Sequence, residues 1–382
     1  MRVELTDEQE FLREAVAGTL ARGATPALVR EWAEGRDTGP ADTLAQRQGW
    51  TGIGLDEERG GQGGGIIELA VMAQELGRAA APWDRLLGAV LAQQLLGAAN
   101  GDEAAALAEL TAEGDQVAVL MADGRRPPTA WPAETQADGG LTAEADYVVG
   151  AAAAAQLVVA VAQGAGPRLF AVDVTAPGVT VTPRPMVDHT RAVAAVSLKA
   201  APVTDLGPIT DAAVARTAAA AAVLVSADAL GAAARMLELT TAYVADRRQF
   251  GVPVGSFQAV KHAAAEMLVD VEAVRSAVRY ASWAVDGDAG DARTWASIAK
   301  SHTAAAAPRV ADKALFLHGA IGYTWEHDLQ FQFKRAKSDS WLFGGSAQHQ
   351  DLIAGRLGLT PDRPVVLSGA QMRTADAPSW PR

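Results

Sequence analysis

The sequence predicts an α+β protein in which helical segments flank a strand-rich middle. Hydrophobic residues make up 49% of the 382 residues but aromatic ones only 5%, and the alanine runs are long, which favours helices. On both sides of Gly251, apolar residues recur every three or four positions, the spacing of helices that pack on other helices. Between roughly 115 and 198 the apolar runs are short and separated by Gly, Pro, Asp and Thr, as in strands joined by turns.

The N-terminal part is expected to be helical. Thr6 to Gln9 reads as a capping box before a helix that carries Phe11, Leu12, Val16 and Leu20 on its apolar face. Further helices are expected at 41–48, 66–78 and 84–96. The glycine cluster at 60–65 has neither a Lys-Ser/Thr ending nor a preceding strand, so a phosphate-binding loop is not expected there.

The middle and C-terminal parts follow from the same patterns. Strands are expected at 117–121, 147–150, 157–161, 170–174, 179–181 and 193–198, with a linker at 202–208. Thr210 and Asp211 cap the first C-terminal helix, and later helices are expected at 291–306, 309–317, 328–337 and 346–357. The expected domains are 1–113, 114–206 and 207–360, and the aperiodic segment 361–382 is expected to be a tail.

Composition excludes several classes of function. The chain has no cysteine, so disulfide, zinc-thiolate and thiol-nucleophile chemistry are excluded. A formal charge of -12 argues against nucleic acid or an anionic membrane as the main partner. The six histidines show no metal-ligand spacing with carboxylates, so no metal site is expected. With no basic-then-apolar leader and no apolar run of about 20 residues, a cytoplasmic protein without a membrane partner is expected.

The stretch between the two longest helical patterns reads YVADRRQFGVPVGSFQ, from Tyr243 to Gln258. Taken alone, Arg247 and Arg248 would be a solvated helix end. However, Arg-Arg-Gln-Phe-Gly followed by Phe-Gln resembles a signature of the acyl-CoA dehydrogenase family. LHGAIGYTWEHDL at 317–329 and GWTGIGLDEERGGQG with AQELGR at 49–78 resemble two further family segments. The resemblance spans nearly the whole chain and implies an N-terminal all-α domain, a small central β-barrel and a C-terminal four-helix bundle that forms the oligomer core.

The resemblance also implies a reaction and a cofactor. Family members oxidise an acyl-CoA thioester to its 2,3-enoyl form: a carboxylate removes the α-proton, and FAD accepts the β-hydrogen as hydride. The usual Glu precedes Gly-Thr-x-Gln, but Gly344 stands at its position here. The alternative base position falls within Thr217–Val223, which contains no acid. The nearest acids, Asp339 and Glu326, read as cap or loop carboxylates, so no catalytic residue is assigned to this chain.

The flavin-binding residues of the family are only partly present. Leu120–Arg126 and Tyr147–Gly150 replace the two elements with which the family's β domain holds the isoalloxazine ring. Arg247 and Phe250, which in the family reach the flavin of the neighbouring subunit, are intact, and an arginine suits a pyrophosphate. Gln258, Gly319, Ser346 and Gln348 also match cofactor-binding positions, whereas Phe316 replaces a glutamine.

This pattern resembles the base-lacking subunit of a heteromeric acyl-CoA dehydrogenase. It implies FAD shared with a homologous partner subunit, an α2β2 or homo-oligomeric assembly, an acyl-CoA or acyl-carrier thioester as substrate, and an electron-transfer flavoprotein as one candidate acceptor. Two alternatives remain open: a homo-oligomeric flavoenzyme with base-independent biosynthetic chemistry, and a non-catalytic acyl-thioester binding or scaffold protein. The missing side chain at Gly344 is also expected to widen the acyl end of the cleft.

Overall fold

A computed structural model confirms the α+β class. It describes residues 4–359 except 115, 122, 129–132, 136–139, 164–165 and 288–289, and for Arg59 and 133–135 it describes the backbone only. The expected tail at 361–382 lies outside the described residues. The helices are α1 (Asp7–Gly23), α2 (Pro26–Gly35), α3 (Gly39–Arg47), α4 (Ile66–Ala79), α5 (Asp84–Leu96), α6 (Asp102–Glu113), α7 (Asp211–Asp246), α8 (Gln258–Asp286), α9 (Ala292–His318), α10 (Leu329–Asp339) and α11 (Ser346–Arg356). The strands are β1 (Val117–Leu120), β2 (Ala133–Thr135), β3 (Leu141–Val149), β4 (Gln156–Val161), β5 (Arg168–Asp173), β6 (Val179–Arg184), β7 (Val193–Ala201), β8 (Thr204–Pro208), β9 (Arg248–Gln249) and β10 (Val252–Pro253).

Helices α1, α3, α4 and α5 lie close to where the sequence patterns place them. The capping box of α1 is present: Gln9 N–H donates to Thr6 Oγ1 at 3.3 Å, and Thr6 N–H donates to Gln9 Oε1 at 3.0 Å. Val16 and Leu20 are buried as expected, but Phe11 is exposed. Helices α2 and α6 were not expected from the sequence pattern, although Pro26 and Asp102 are favourable first-turn residues for them.

The middle of the chain contains two four-stranded sheets, with strand orders β1-β4-β5-β8 and β2-β3-β7-β6. The β1–β4 pair is parallel and the other pairs are antiparallel. Residues from both sheets, including Leu120, Leu141 and Phe170, form one apolar core. The linker expected at 202–208 is wrong in part, because β8 occupies most of it and pairs with β5.

The C-terminal part is built around α7, which packs against α4, α8, α9 and α10. By length and composition α7 could cross a membrane, but 94% of its most apolar window is buried inside the protein, so it is a core helix. The two helices expected at 291–306 and 309–317 are one helix, α9, which continues through Pro308. Buried alanines on both sides, Ala307 and Ala311, show that packing holds α9 together where proline removes a backbone hydrogen bond. Helix α10 begins one residue later and ends two residues later than expected.

Helix α4 is fixed to the bundle by two glycines and one aspartate. A side chain at Gly77 or Gly231 would overlap the backbone of the opposite helix, so these residues allow α4 and α7 to approach closely. At the start of α4, Asp286 of α8 accepts the Ile66 N–H at 2.6 Å and the Ile67 N–H at 2.9 Å. This cap comes from another domain rather than from the residue preceding the helix.

A buried ion cluster joins all three parts of the chain. Its members are Arg191 and Asp188 before β7, Asp84 of α5, Asp228 of α7, and Arg335 and Asp339 of α10. Arg191 pairs with three of the carboxylates, and Arg335 also donates to the carbonyl oxygens of Ala80 and Ala81. Because these charges are shielded from water, each depends on its partners, and the cluster fixes the three parts relative to one another.

Candidate functional site

Arg247 and Phe250 lie on a tight hairpin that leaves the end of α7. The Arg247 N–H donates to Tyr243 O at 2.9 Å and closes the helix. Strands β9 and β10 then pair across a two-residue loop, in which Phe250 has φ 53° and Gly251 has φ 82°. Two successive positive φ values define a type I′ turn. This turn directs Phe250 outwards, where 92% of its surface is exposed.

Four of the predicted cofactor residues lie at the same end of the bundle. Gln258 begins α8 directly after the hairpin, and it is exposed. Gly319 follows α9, whose last residue, His318, stacks on Tyr243 of α7 with ring centroids 4.6 Å apart. We call Arg247, Phe250, Gln258 and Gly319 the bundle-end surface. Among the described residues the Arg247 side chain has no hydrogen-bond or ion-pair partner, so its guanidinium is available to an external anion.

Ser346 and Gln348, the other two predicted cofactor residues, lie elsewhere. The Ser346 hydroxyl is 3.2 Å from the Ser301 hydroxyl, well before the end of α9. At 1.5 Å per residue, Ser301 is about 25 Å along the helix from His318. Gln348 uses its side-chain oxygen to accept the Gly345 N–H at 2.9 Å. The six residues therefore form two separate groups within this chain.

The segment around Gly344 is in direct contact with the β domain. The Phe343 N–H donates to Gly124 O at 2.6 Å. Gly344 has φ 98°, and a Cβ built there would lie 2.7 Å from Cδ of Pro127. The first contact joins this segment to Gly124, within the stretch 120–126 that the family resemblance matches to a flavin-binding element, and the second joins it to Pro127, directly after that stretch. The space expected to widen at Gly344 is filled by Pro127, so that expectation is wrong.

A β-bulge adds an aromatic contact at the same place. The β3–β7 register shifts between Ala145 and Val148, and Tyr147 adopts φ 54°. Tyr147 then meets Trp341 edge to face, with ring centroids 5.3 Å apart, while the Arg125 guanidinium lies 4.8 Å from the Tyr147 centroid. Left-handed φ values at non-glycine residues cost free energy, and Tyr147 and Phe343 both have them at this junction.

Neither acid noted in the sequence is placed as a free base. Asp339 is 1% exposed and ion-paired with Arg191, and burial raises its pKa to about 8. Glu326 is exposed, in the segment between α9 and α10. Behind the Gly344 segment, burial lowers the pKa of Lys300 to about 7 and that of His349 to about 4. Lys300 donates to the Asp339 carbonyl oxygen at 2.7 Å, and His349 lies 2.9 Å from Phe343 O, so both support the backbone of this segment.

Sequence reasoning missed Pro127, Tyr147 and Trp341 as parts of this junction. Each looks like an ordinary loop or strand residue, and no local pattern links Pro127 to Gly344. The ion cluster was also missed. An acid at 339 next to a bundle core could have suggested a buried pair, but its partner Arg191 belongs to another domain.

Comparisons with known proteins agree with this architecture. The acyl-CoA dehydrogenase N-terminal domain model matches residues 6–106, and the C-terminal domain model matches residues 212–358. Acyl-CoA dehydrogenase IpdE2 of Mycolicibacterium smegmatis is 34% identical to this chain, and the alignment covers 89% of this chain and 96% of the relative. IpdE2 of Mycobacterium tuberculosis is 37% identical, and the alignment covers 88% of this chain and 93% of the relative.

Among solved structures, a variant of the Tcur3481-Tcur3483 steroid ACAD superposes with a TM-score of 0.83 at 27% identity, covering 92% of this chain and 98% of that one. The matches to both family models, together with curated relatives that align over almost their whole length, establish the family of this chain. The chain belongs to the acyl-CoA dehydrogenase family of flavoprotein oxidoreductases.

Proposed function

We propose that this chain is a subunit of a heteromeric, FAD-dependent acyl-CoA dehydrogenase. In this proposal a homologous partner subunit holds most of the flavin and provides the catalytic carboxylate. This chain contributes the bundle-end surface to the partner's cofactor. FAD, when bound, supplies the hydride acceptor for α,β-dehydrogenation of an acyl thioester.

The observation that carries the proposal is the contrast between the two groups of cofactor residues. The bundle-end surface is exposed, and the Arg247 guanidinium has no acceptor among the described residues, so it suits a pyrophosphate. The group around Ser346 adjoins a junction in which Gly344 packs on Pro127 and Phe343 bonds to Gly124. A flavin ring does not fit between surfaces that already touch. The chain thus suits a flavin held by a neighbour and not one held in its own cleft.

The proton acceptor is then expected from the partner. A positioned general base is worth about 10²–10⁴ in rate, so the reaction needs one somewhere in the complex. Here Gly344 occupies the usual position, and Asp339 is tied to Arg191 in the ion cluster. This arrangement favours a complex with one complete active site for each pair of unlike subunits.

The surface around Arg247 also suits a protein partner. Phe250, Phe316 and Tyr323 are 92%, 80% and 74% exposed, and all three lie at the bundle end. Exposed aromatic side chains that cluster in this way usually mark an interaction site. The related Tcur3481-Tcur3483 steroid ACAD carries the names of two proteins, which supports a homologous partner and a steroid-type acyl thioester as the first substrate to try.

Flavin-to-protein stoichiometry tests the proposal. The chain is purified alone, and then after co-expression with a homologous acyl-CoA-dehydrogenase-like chain. We expect a colourless protein alone and, in the complex, one FAD for each pair of unlike chains together with dehydrogenase activity. A fully loaded, active protein purified alone would instead support a homo-oligomeric flavoenzyme. A stable complex without flavin or activity would support a scaffold protein.

Two neighbouring arginines provide a matched pair of variants. Arg247→Ala should weaken FAD retention by the complex at least tenfold, because a charge-assisted contact to the pyrophosphate is lost. Arg248→Ala removes an equally exposed arginine one residue along the hairpin and should leave retention unchanged. Equal retention by both variants would contradict the role proposed for Arg247.

A further inference from the structure

His318 is buried directly beneath the bundle-end surface. Only 3% of its surface is exposed, and it is the last residue of α9, immediately before Gly319. Its ring stacks on Tyr243 at an interplanar angle of 19° and meets His327 edge to face, with ring centroids 4.9 Å apart. Gly322 closes over it, since a Cβ there would lie 3.0 Å from the His318 Cβ.

This one side chain connects two parts of the bundle-end surface. The Tyr243 backbone carbonyl accepts the Arg247 N–H, so the ring that stacks on His318 belongs to the residue that closes the last turn of α7. Gly319 continues directly from His318. The stack of His318 on Tyr243 therefore joins the end of α9, directly before Gly319, to the last turn of α7, directly before Arg247.

The hydrogen bonding of His318 indicates that the residue acts through the faces of its ring and not through its nitrogen atoms. Nδ1 lies 2.8 Å from Ala314 O, and a carbonyl only accepts, so Nδ1 carries the proton. Nε2 is buried and has no hydrogen-bond partner among the described residues. Burial, together with the neighbouring His327, lowers the pKa of His318, so the ring is neutral near pH 7. A neutral ring stacked on Tyr243 adds no positive charge beside Arg247.

We propose that His318 is a positioning residue for the cofactor: by stacking on Tyr243 it holds Arg247 and Gly319 at the separation at which both reach one bound dinucleotide. This inference rests on the proposed function, in which the bundle-end surface meets the partner's FAD. It assigns His318 no contact with substrate or with the reacting atoms.

The test measures FAD affinity of the co-expressed complex by fluorescence titration, beside the thermal midpoint of the complex. His318→Leu keeps an apolar side chain but loses the flat stacking surface, and it should weaken FAD binding several-fold to about tenfold. His318→Phe restores a flat ring and should bind FAD within about twofold of wild type. His302→Leu, a histidine earlier on the same helix, is the matched control and should leave FAD affinity unchanged.

The outcomes separate this inference from the proposed function. If His318→Leu binds FAD like wild type while Arg247→Ala does not, His318 has no positioning role but the proposed function stands. If Arg247→Ala also binds normally, or if no complex forms, the proposed function fails. If His318→Phe weakened FAD binding as much as His318→Leu does, the stacking role would also be overturned. If His318→Leu does not fold, Tyr243→Leu is used instead, because it removes the other ring of the stack from a half-buried position. The same loss of FAD affinity is expected, and wild-type affinity would again contradict the proposal.

Discussion

Gly344 and Pro127 lie so close together that a Cβ on residue 344 would be 2.7 Å from the Pro127 ring. Gly344 also has φ 98°, a conformation that L side chains rarely adopt. The position that the motif match assigns to the family's base is therefore packed against Pro127 and carries no carboxylate. A side chain at residue 344 requires Pro127 to move.

Gly344→Glu should for this reason fail to give the isolated chain dehydrogenase activity. The new side chain has to displace Pro127 and accept a left-handed backbone, which together cost about 2–5 kcal/mol. Urea unfolding should show this loss of stability, and dye reduction with a thioester should remain at the wild-type background. Gly345→Ala is the control, because Gly345 has φ -83° and a Cβ there meets only ordinary contacts. A chain activated by Gly344→Glu would contradict the closed junction.

Arg191→Met should destabilise the chain strongly. Arg191 contacts three buried carboxyl groups, and removing it leaves buried charged and polar groups without a partner, which costs about 3–5 kcal/mol. Arg184→Met is the matched control in the same domain. Its ion pair with Asp146 is partly exposed to solvent, unlike the pairs of Arg191, so its loss should cost at most about 1 kcal/mol. Equal midpoints of unfolding for the two variants would show that the ion cluster does not hold the three parts together.

Asp339 should make stability depend on pH. Its pKa rises from 3.8 to about 8 on folding because the carboxyl is buried, so between these values the folded state holds a proton that the unfolded state has lost. Raising the pH from about 5 to about 8 therefore reduces the contribution that Asp339 makes to stability. Asp339→Asn removes this titration while Lys300 and His349 continue to titrate. The difference in the free energy of unfolding between wild type and Asp339→Asn should therefore decrease from about pH 5 to about pH 8. If the pH profiles of the two proteins were parallel, Asp339 would not contribute this pH dependence.

The cap that α8 provides for α4 should be measurable separately. Asp286→Ala leaves the Ile66 and Ile67 N–H groups without their acceptors and should cost about 0.5–2 kcal/mol. Asp286→Asn keeps one acceptor oxygen and should lose less. Chemical denaturation of the three proteins checks this order. If Asp286→Ala were as stable as wild type, water would be replacing the carboxylate at this helix end.

Much of the fold is determined by local sequence signals. The Thr6 capping box, the helical segments α4 and α5, and the tight connection between α7 and α8 depend on residues close together in the chain, so their patterns predict them directly. The signature around Arg247 and Phe250 likewise identifies the family without any structure. The interruption expected near Pro308 was wrong because packing on α7 outweighs the local effect of one proline.

The sequence by itself determined the helical ends, the strand-rich middle, the family, and the absence of a carboxylate at Gly344. Only the tertiary structure decided that Pro127 lies against Gly344, that Arg191 unites carboxyl groups from separate parts of the chain, and that the six residues predicted to bind the cofactor form two distant groups. The physical reason is that backbone conformation and helix capping depend on neighbours in sequence. Close packing and buried charge pairing depend on which distant residues the folded chain brings together.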